Sequence, residues 1–252
     1  MIDSHVHLDA PEFDTDRVAV LAAARAAGVT GFVVPAVTRS GFGALAALAA
    51  AEPDVHPAYG LHPMYLAEHD DADPERLAAW LSEHPAVAVG ECGLDFFVDG
   101  LDPDRQRRLF DAQLRIAREA GLPVILHARK AVDEVSAMIR RVGRLTGVVH
   151  SFSGSIDQAR RLIDLGFRLG FGGPITYPRA SRLRQLVATL PVDALLAETD
   201  APDQPLCGAQ GQRNTSAQLP RVIETMAELR QVPVATLAAQ LDANARALFR
   251  LS

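Results

Sequence analysis

Metal-type side chains close one apolar, strand-like run after another along this 252-residue chain, and few folds can use such a pattern. The opening Ile2-Asp-Ser-His-Val-His7 sets two imidazoles two residues apart, so an extended backbone turns His5 and His7 to one face and Ser4 and Val6 to the other. Four later runs end in the same way, at Glu91, His127, His150 and Asp200. A parallel barrel gathers its functional residues at the C-terminal ends of its strands, and ligands spaced like this ask for that arrangement.

Periodicity predicts eight β-type runs, at 2–7, 31–35, 55–60, 87–93, 124–127, 148–150, 168–171 and 194–198, with amphipathic or alanine-rich segments between them. Asp14, Asp73-Pro74, Asp102-Pro103 and Ser155 mark helix starts, because their oxygens satisfy free N–H groups there. Gly28, Gly121 and Gly166 mark stops, since glycine accepts the left-handed turn that ends a helix. The alternation predicts a (β/α)8 TIM barrel, a single domain over 1–252, with the metal site at the C-terminal ends of its strands. An open dinucleotide-binding sheet is disfavoured, because no Gly-x-Gly-x-x-Gly turn follows the first strand. Residues 201–218 are expected to loop over the barrel mouth, and helices near 219–229 and 234–248 to close the outer ring.

A net charge of −6 provides no global positive field for a long nucleic-acid partner. The arginine clusters at 105–108, 140–144, 160–161 and 179–184 read as solvated helix faces. Met1 runs directly into a polar segment and no apolar stretch is long enough to span a bilayer, so neither a secretory signal nor a membrane partner is expected. Cys92 and Cys207 supply no disulfide framework and no Cys-x-x-Cys pair, which fits a cytoplasmic protein. No obligatory protein partner is evident.

Each histidine alone has a structural alternative, but four of them with Glu91 and Asp200 match the ligand set of Zn²⁺, Mn²⁺ or Mg²⁺. Six ligands exceed what one catalytic ion needs, so two divalent cations per chain are expected: one on His5, His7 and Asp200, the other on His127 and His150, with Glu91 bridging. Asp200 either orients and deprotonates the attacking water or serves only as a ligand, and with Glu91 it is the catalytic candidate. His62, in Tyr59-Gly-Leu-His-Pro63, is read as a substrate contact or a turn residue. Arg129 could offer a forked donor to a phosphate or carboxylate, or make a salt bridge. Arg213 could add positive charge toward substrate. Asp9, Asp95 and Glu198 are ligand-orienting residues or caps. His56, His69 and His84, beside proline or acidic residues in expected surface segments, receive no role.

With these residues laid out, the chain resembles the TatD family of metal-dependent deoxyribonucleases, a branch of the amidohydrolase-like barrels. The matching motifs are Asp3-Ser-His-Val-His-Leu-Asp9, Gly60-Leu-His-Pro63, Val89-Gly-Glu-Cys-Gly-Leu-Asp95, Gln106 with Phe110 and Gln113-Leu114, Leu126-His-Ala-Arg129, His150-Ser-Phe-Ser-Gly154 and Glu198-Thr-Asp-Ala-Pro202. The resemblance implies metal-dependent hydrolysis of phosphodiester bonds, with exonucleolytic trimming of short single-stranded or frayed DNA ends. Two departures fall in the mouth loop: Asp203 follows Pro202 where the family carries an aromatic, and Arg213-Asn-Thr-Ser216 replaces Arg-Asn-Glu-Pro. The alternative enzyme class is an amide or lactone hydrolase of the same superfamily. Many of those bridge their metals with a carboxylated lysine where this chain has Glu91, and its one lysine, Lys130, lies elsewhere. A non-catalytic metal binder would leave the full ligand set without a purpose.

Overall fold

The computed structural model describes residues 1–252. Eight strands, all parallel and in chain order, are β1 (Ile2–Asp3), β2 (Gly31–Pro35), β3 (Val55–Tyr59), β4 (Ala88–Asp95), β5 (Val124–Arg129), β6 (Gly147–Val149), β7 (Phe167–Phe171) and β8 (Leu195–Ala197). The helices are α1 (Arg17–Ala26), α2 (Phe42–Ala51), α3 (Asp73–Glu83), α4 (Pro103–Ala120), α5 (Val132–Val142), α6 (Ile156–Asp164), α7 (Ser181–Thr189), α8 (Leu219–Arg230) and α9 (Val234–Phe249). Strand followed by helix, eight times over, is the (β/α)8 order that the sequence predicts.

The chain forms two compact units, one of Met1–Val34 with Arg168–Ser252 and one of Pro35–Phe167. In the first, β7 pairs with β8 at Leu169 and Leu195, and β1 pairs with β2 at Ile2 and Gly31. The chain's two ends meet there: Ser4 donates its backbone N–H to the Ala197 carbonyl at 3.1 Å, so β8 runs beside β1. In the second unit β3 to β6 form a continuous ladder, through Tyr59 and Val89, Val89 and Val124, and Leu126 and Val149. Both units are apolar inside. Phe13, Leu21 and Phe171 are buried in the first, and Phe42, Tyr59 and Phe110 in the second. No helix is long and apolar enough to cross a membrane.

The local signals act as expected at two helices. Asp102 accepts the N–H groups of Asp104 and Arg105 at the start of α4, which ends at Gly121 with φ 64°. Ser155 and Gln158 form a reciprocal capping box on α6. Two other predicted starts are displaced. Asp14 instead pairs with Arg17 at 2.6 Å, and α1 begins at Arg17. Asp73 lies within α3, and its buried carboxylate takes Arg39 and Arg76 at 2.8 and 2.9 Å. The first strand is also shorter than expected. β1 ends at Asp3, and His5 and His7 lie on the bent segment beyond it.

Candidate active site

The site residues fall into two sets, one in each unit, and each follows the C-terminal ends of strands. In the first unit the segment after β1 is held extended without being a regular strand. Val6 donates to Val33 O at 3.1 Å and His7 to Ala201 O at 2.8 Å. Both imidazoles therefore still point one way, as the two-residue spacing demands. His5 Nε2 lies 3.2 Å from His7 Nε2, and the two stand 3.5 and 3.7 Å from Asp200 Oδ1. Asp200 sits in the left-handed region at φ 54°, and its N–H bonds the His5 carbonyl at 2.9 Å. A non-glycine residue held there is uncommon, and such backbone clusters at functional sites. Beneath the set, buried Asp3 accepts the Thr199 N–H at 2.9 Å and the Thr199 hydroxyl at 2.6 Å. Burial outweighs those bonds and raises the Asp3 carboxyl to about 6.

In the second unit one oxygen gathers three rings. Buried Glu91 Oε1 lies 3.0 Å from His62 Nε2, 3.2 Å from His127 Nδ1 and 2.7 Å from His150 Nε2. A carboxylate oxygen only accepts, so each facing nitrogen must carry a proton or share a cation with it. His62 carries a proton: its Nδ1 accepts the Met64 N–H at 3.1 Å as the cap of a short 3-10 turn, which leaves the hydrogen of a neutral ring on Nε2. His62 is therefore a donor that steers Glu91, and its ring stays neutral because burial lowers its pKa against the pull of Glu91. As one of the two sequence alternatives has it, His62 also forms a turn, capping the short 3-10 turn after β3.

His127 is held differently. Its Nε2 bonds Asp95 Oδ2 at 2.8 Å, and Nδ1 faces Glu91 and His150 Nε2, the latter at 3.4 Å. A carboxylate behind one ring nitrogen fixes the tautomer and leaves the lone pair on the other, which is how metal-binding histidines are commonly oriented. Burial acts to lower the His127 pKa, but the bonds to Asp95 and Glu91 prevail and raise it. Asp95 shows the converse. Burial pushes it up, the His127 ring and the N–H groups of Val98 and Phe97 pull it down, and it settles at about 2. Asp95 is thus a ligand-orienting residue, one of the two roles open to it in the sequence.

Three supporting contacts escaped sequence reading. His69, expected at the surface, is buried, and its Nε2 bonds the His62 carbonyl at 2.9 Å. Gln106 grips Asp95 with both amide atoms, accepting its N–H at 2.8 Å and donating to its carbonyl at 2.9 Å. Gln113 does the same to Leu61, at 2.7 and 3.1 Å. The spacing of seven puts both glutamines on one face of α4, which was the available signal.

Two arginines have defined surroundings. The Arg213 guanidinium is engaged with Asp16, at 3.0 and 2.5 Å, and lies over the Phe13 ring, so it straps the 201–218 loop. Arg129 makes no salt bridge, the alternative the sequence offered; it stacks on Phe97 with its guanidinium carbon 3.8 Å from the ring centre. The loop itself is braced rather than open, because Asn214 bonds the Thr199 carbonyl at 2.9 Å and Gln204 donates to Asp200.

The donor chemistry fits divalent cations. His5, His7 and Asp200 bring ligand atoms within 4.8 Å of one another, and Glu91 Oε1 lies 3.2 Å from His127 Nδ1 and 2.7 Å from His150 Nε2. Histidine nitrogen with carboxylate oxygen is a set that Zn²⁺ and Mn²⁺ accept readily. A parallel (β/α)8 fold carrying such sets beyond its strands defines a class, the metal-dependent hydrolases. More narrowly, the chain belongs to the TatD-related DNase family, whose model matches residues 2–250. It is 46% identical over 253 residues to YjjV of Escherichia coli K12, named an uncharacterized metal-dependent hydrolase, covering 99% of this chain and 98% of that one. The crystal structure of the TatD homolog YjjV superposes with a TM-score of 0.96 at 44% identity, covering 100% of this chain and 98% of the other. A relative from Pantoea sp. At-9b, 35% identical over 269 residues with both chains fully covered, is named a 3'-5' ssDNA/RNA exonuclease TatD. The protein is a metal-dependent hydrolase with the (β/α)8 barrel fold of that family.

Proposed function

We propose that this hydrolase cleaves phosphodiester bonds, removing nucleotides from single-stranded or frayed DNA ends, with two divalent cations per chain. The observation that carries the reading is Glu91 Oε1 set 3.2 Å from His127 Nδ1 and 2.7 Å from His150 Nε2, an acceptor-rich arrangement that a cation satisfies. The relatives named as single-strand exonucleases supply the substrate class. His5, His7 and Asp200 are assigned one cation. Glu91, His127 and His150 would hold the other, with Glu91 as the candidate bridging carboxylate. Bound cations would draw charge from a phosphodiester and acidify a water at neutral pH.

The chain's own residues set up that chemistry. His62 donates to Glu91 and Asp95 backs His127, so each ligand reaches the reaction already turned to its task, which removes reorganisation from the barrier. Asp200, held by its backbone bond to His5, accepts the proton of the attacking water. The amide or lactone alternative has no residue for a carboxylated-lysine bridge, since Lys130 is exposed and packs over Phe97. The test is an end-labelled single strand beside bis(p-nitrophenyl) phosphate and simple amides, given to metal-stripped protein with each ion restored in turn. Phosphodiester cleavage without amide cleavage is expected; the reverse would remove the proposal.

A further inference from the structure

The chain has two exposed aromatic side chains, Tyr65 and Phe97, and both sit a few residues beyond strands of the second unit. Phe97 is the more unusual, being 47% exposed although it lies two residues past the end of β4. A phenyl ring left in water there has no packing purpose. Two cations attend it: the Arg129 guanidinium carbon at 3.8 Å from its centre and the Lys130 ammonium at 4.7 Å.

Several other cations of the chain are neutralised by acids, as Arg76 is by Asp70 and Asp73, Arg107 by Glu134, Arg141 by Asp111 and Arg161 by Asp133. Arg129 and Lys130 make no such ion pair, in a chain of net charge −6. Lys130 is also the chain's one lysine and holds a left-handed backbone at φ 52°, a strained conformation for a residue with a long side chain. Two uncompensated positive charges on an exposed ring are complementary to a polyanion that carries flat bases.

The group is also locked to the site. Asp95 divides its carboxylate, giving Oδ2 to His127 at 2.8 Å and Oδ1 to the N–H groups of Phe97 and Val98 at 2.8 and 3.0 Å. Phe96 donates to the Arg129 carbonyl at 2.9 Å, and the ladder pairs Asp95 with Arg129. One carboxylate therefore sets the position of a site histidine and of the aromatic loop together.

We propose that Phe97, Arg129 and Lys130 form a stacking platform that takes a nucleobase of the strand being degraded, the two cations receiving the adjoining phosphate. The inference rests on the nuclease reading and adds what that reading lacks, a contact with the base. Base–aromatic stacking tolerates every sequence because all bases have a π-face, so the platform holds single strands without reading them. Duplex ends would have to fray before a base could reach it.

The test is a set of fluorescein-labelled single strands, intact or with one abasic position among the last four, bound and cleaved by the metal-loaded enzyme and its Phe97→Ala, Phe97→Trp and Lys130→Gln variants. With wild type, one abasic position should weaken binding about tenfold, within the range one base–aromatic stack provides. Phe97→Ala should weaken binding of the intact strand by a similar factor and erase the abasic penalty, and Phe97→Trp should restore both. Lys130→Gln should flatten the dependence of log affinity on log salt by about 0.7, the share of one phosphate on a single strand. Abasic and Phe97→Ala losses that simply add, in an enzyme that does cleave the intact strand, would overturn the platform alone. Wild-type enzyme that neither binds nor cuts the intact strand would overturn the nuclease reading and the platform with it.

Discussion

Glu91 carries the most concentrated chemistry in the molecule, because a single oxygen faces three imidazoles. Glu91→Gln replaces a charged acceptor by a neutral amide, and the bound metal should fall from two ions toward one per chain, as read by elemental analysis. Asp200→Asn tests a different function. If Asp200 accepts the water's proton, kcat should drop by about a hundredfold or more, the usual size of a general-base contribution. Equal and mild losses in both variants would place the centre elsewhere. Asp95 makes a prediction about pH. Its folded pKa of about 2 lies below the ordinary aspartate value of 3.8, so its contribution to stability is present above about pH 4 and lost as pH falls toward 2. In chelated protein that contribution is on the order of 2 kcal/mol, since each tenfold change in proton affinity is worth about 1.4 kcal/mol. Asp95→Asn should lose stability near neutrality and show a shallower acid limb below pH 4; an unchanged limb in urea titrations would refute the His127–Asp95 pair.

At the scale of elements, α4 acts as a bracket. Gln106 and Gln113 reach from one helix to the backbone just past β3 and at the end of β4. Gln106→Leu would leave the buried N–H and carbonyl of Asp95 without partners, at a cost of roughly 1–3 kcal/mol for each. The midpoint of thermal unfolding should fall, and activity should fall beyond the loss of folded protein, because His127 loses its aligned carboxylate. Gly93 makes a second demand on the same strand pair: at φ 144°, a Cβ added to it would sit 2.0 Å from the His127 carbonyl oxygen. Much of this architecture was legible in the sequence. Apolar runs, capping signals at Asp102 and Ser155, and the endings at Glu91, His127, His150 and Asp200 gave the strands, several helices and the side chains that cluster beyond the strands. What escaped was contact at a distance. Periodicity cannot say that His69 lies buried against His62, that Arg213 is spent on Asp16, or that the residues past Asp3 bend while keeping their imidazoles aligned. Those outcomes depend on which segments meet, and a one-dimensional pattern does not contain them.

For the molecule as a whole, any bound metal would be an addition to a fold that has its own apolar core in each unit. Chelator-treated protein should therefore keep its helical circular dichroism while losing hydrolysis, and added ions should raise its unfolding temperature in proportion to their occupancy. The acidic chain offers no extended phosphate track, so binding of single strands should depend weakly on salt. With about two phosphates neutralised, the slope of log affinity against log salt should be close to −1.4. The most direct test of the central claim is the size ladder from an end-labelled single strand, run beside a closed circular plasmid with metal-stripped protein and with the ions restored. The account predicts stepwise shortening from an end only when metal is present, with the circle left intact. Cleavage in excess chelator, or rapid linearisation of the circle, would contradict it.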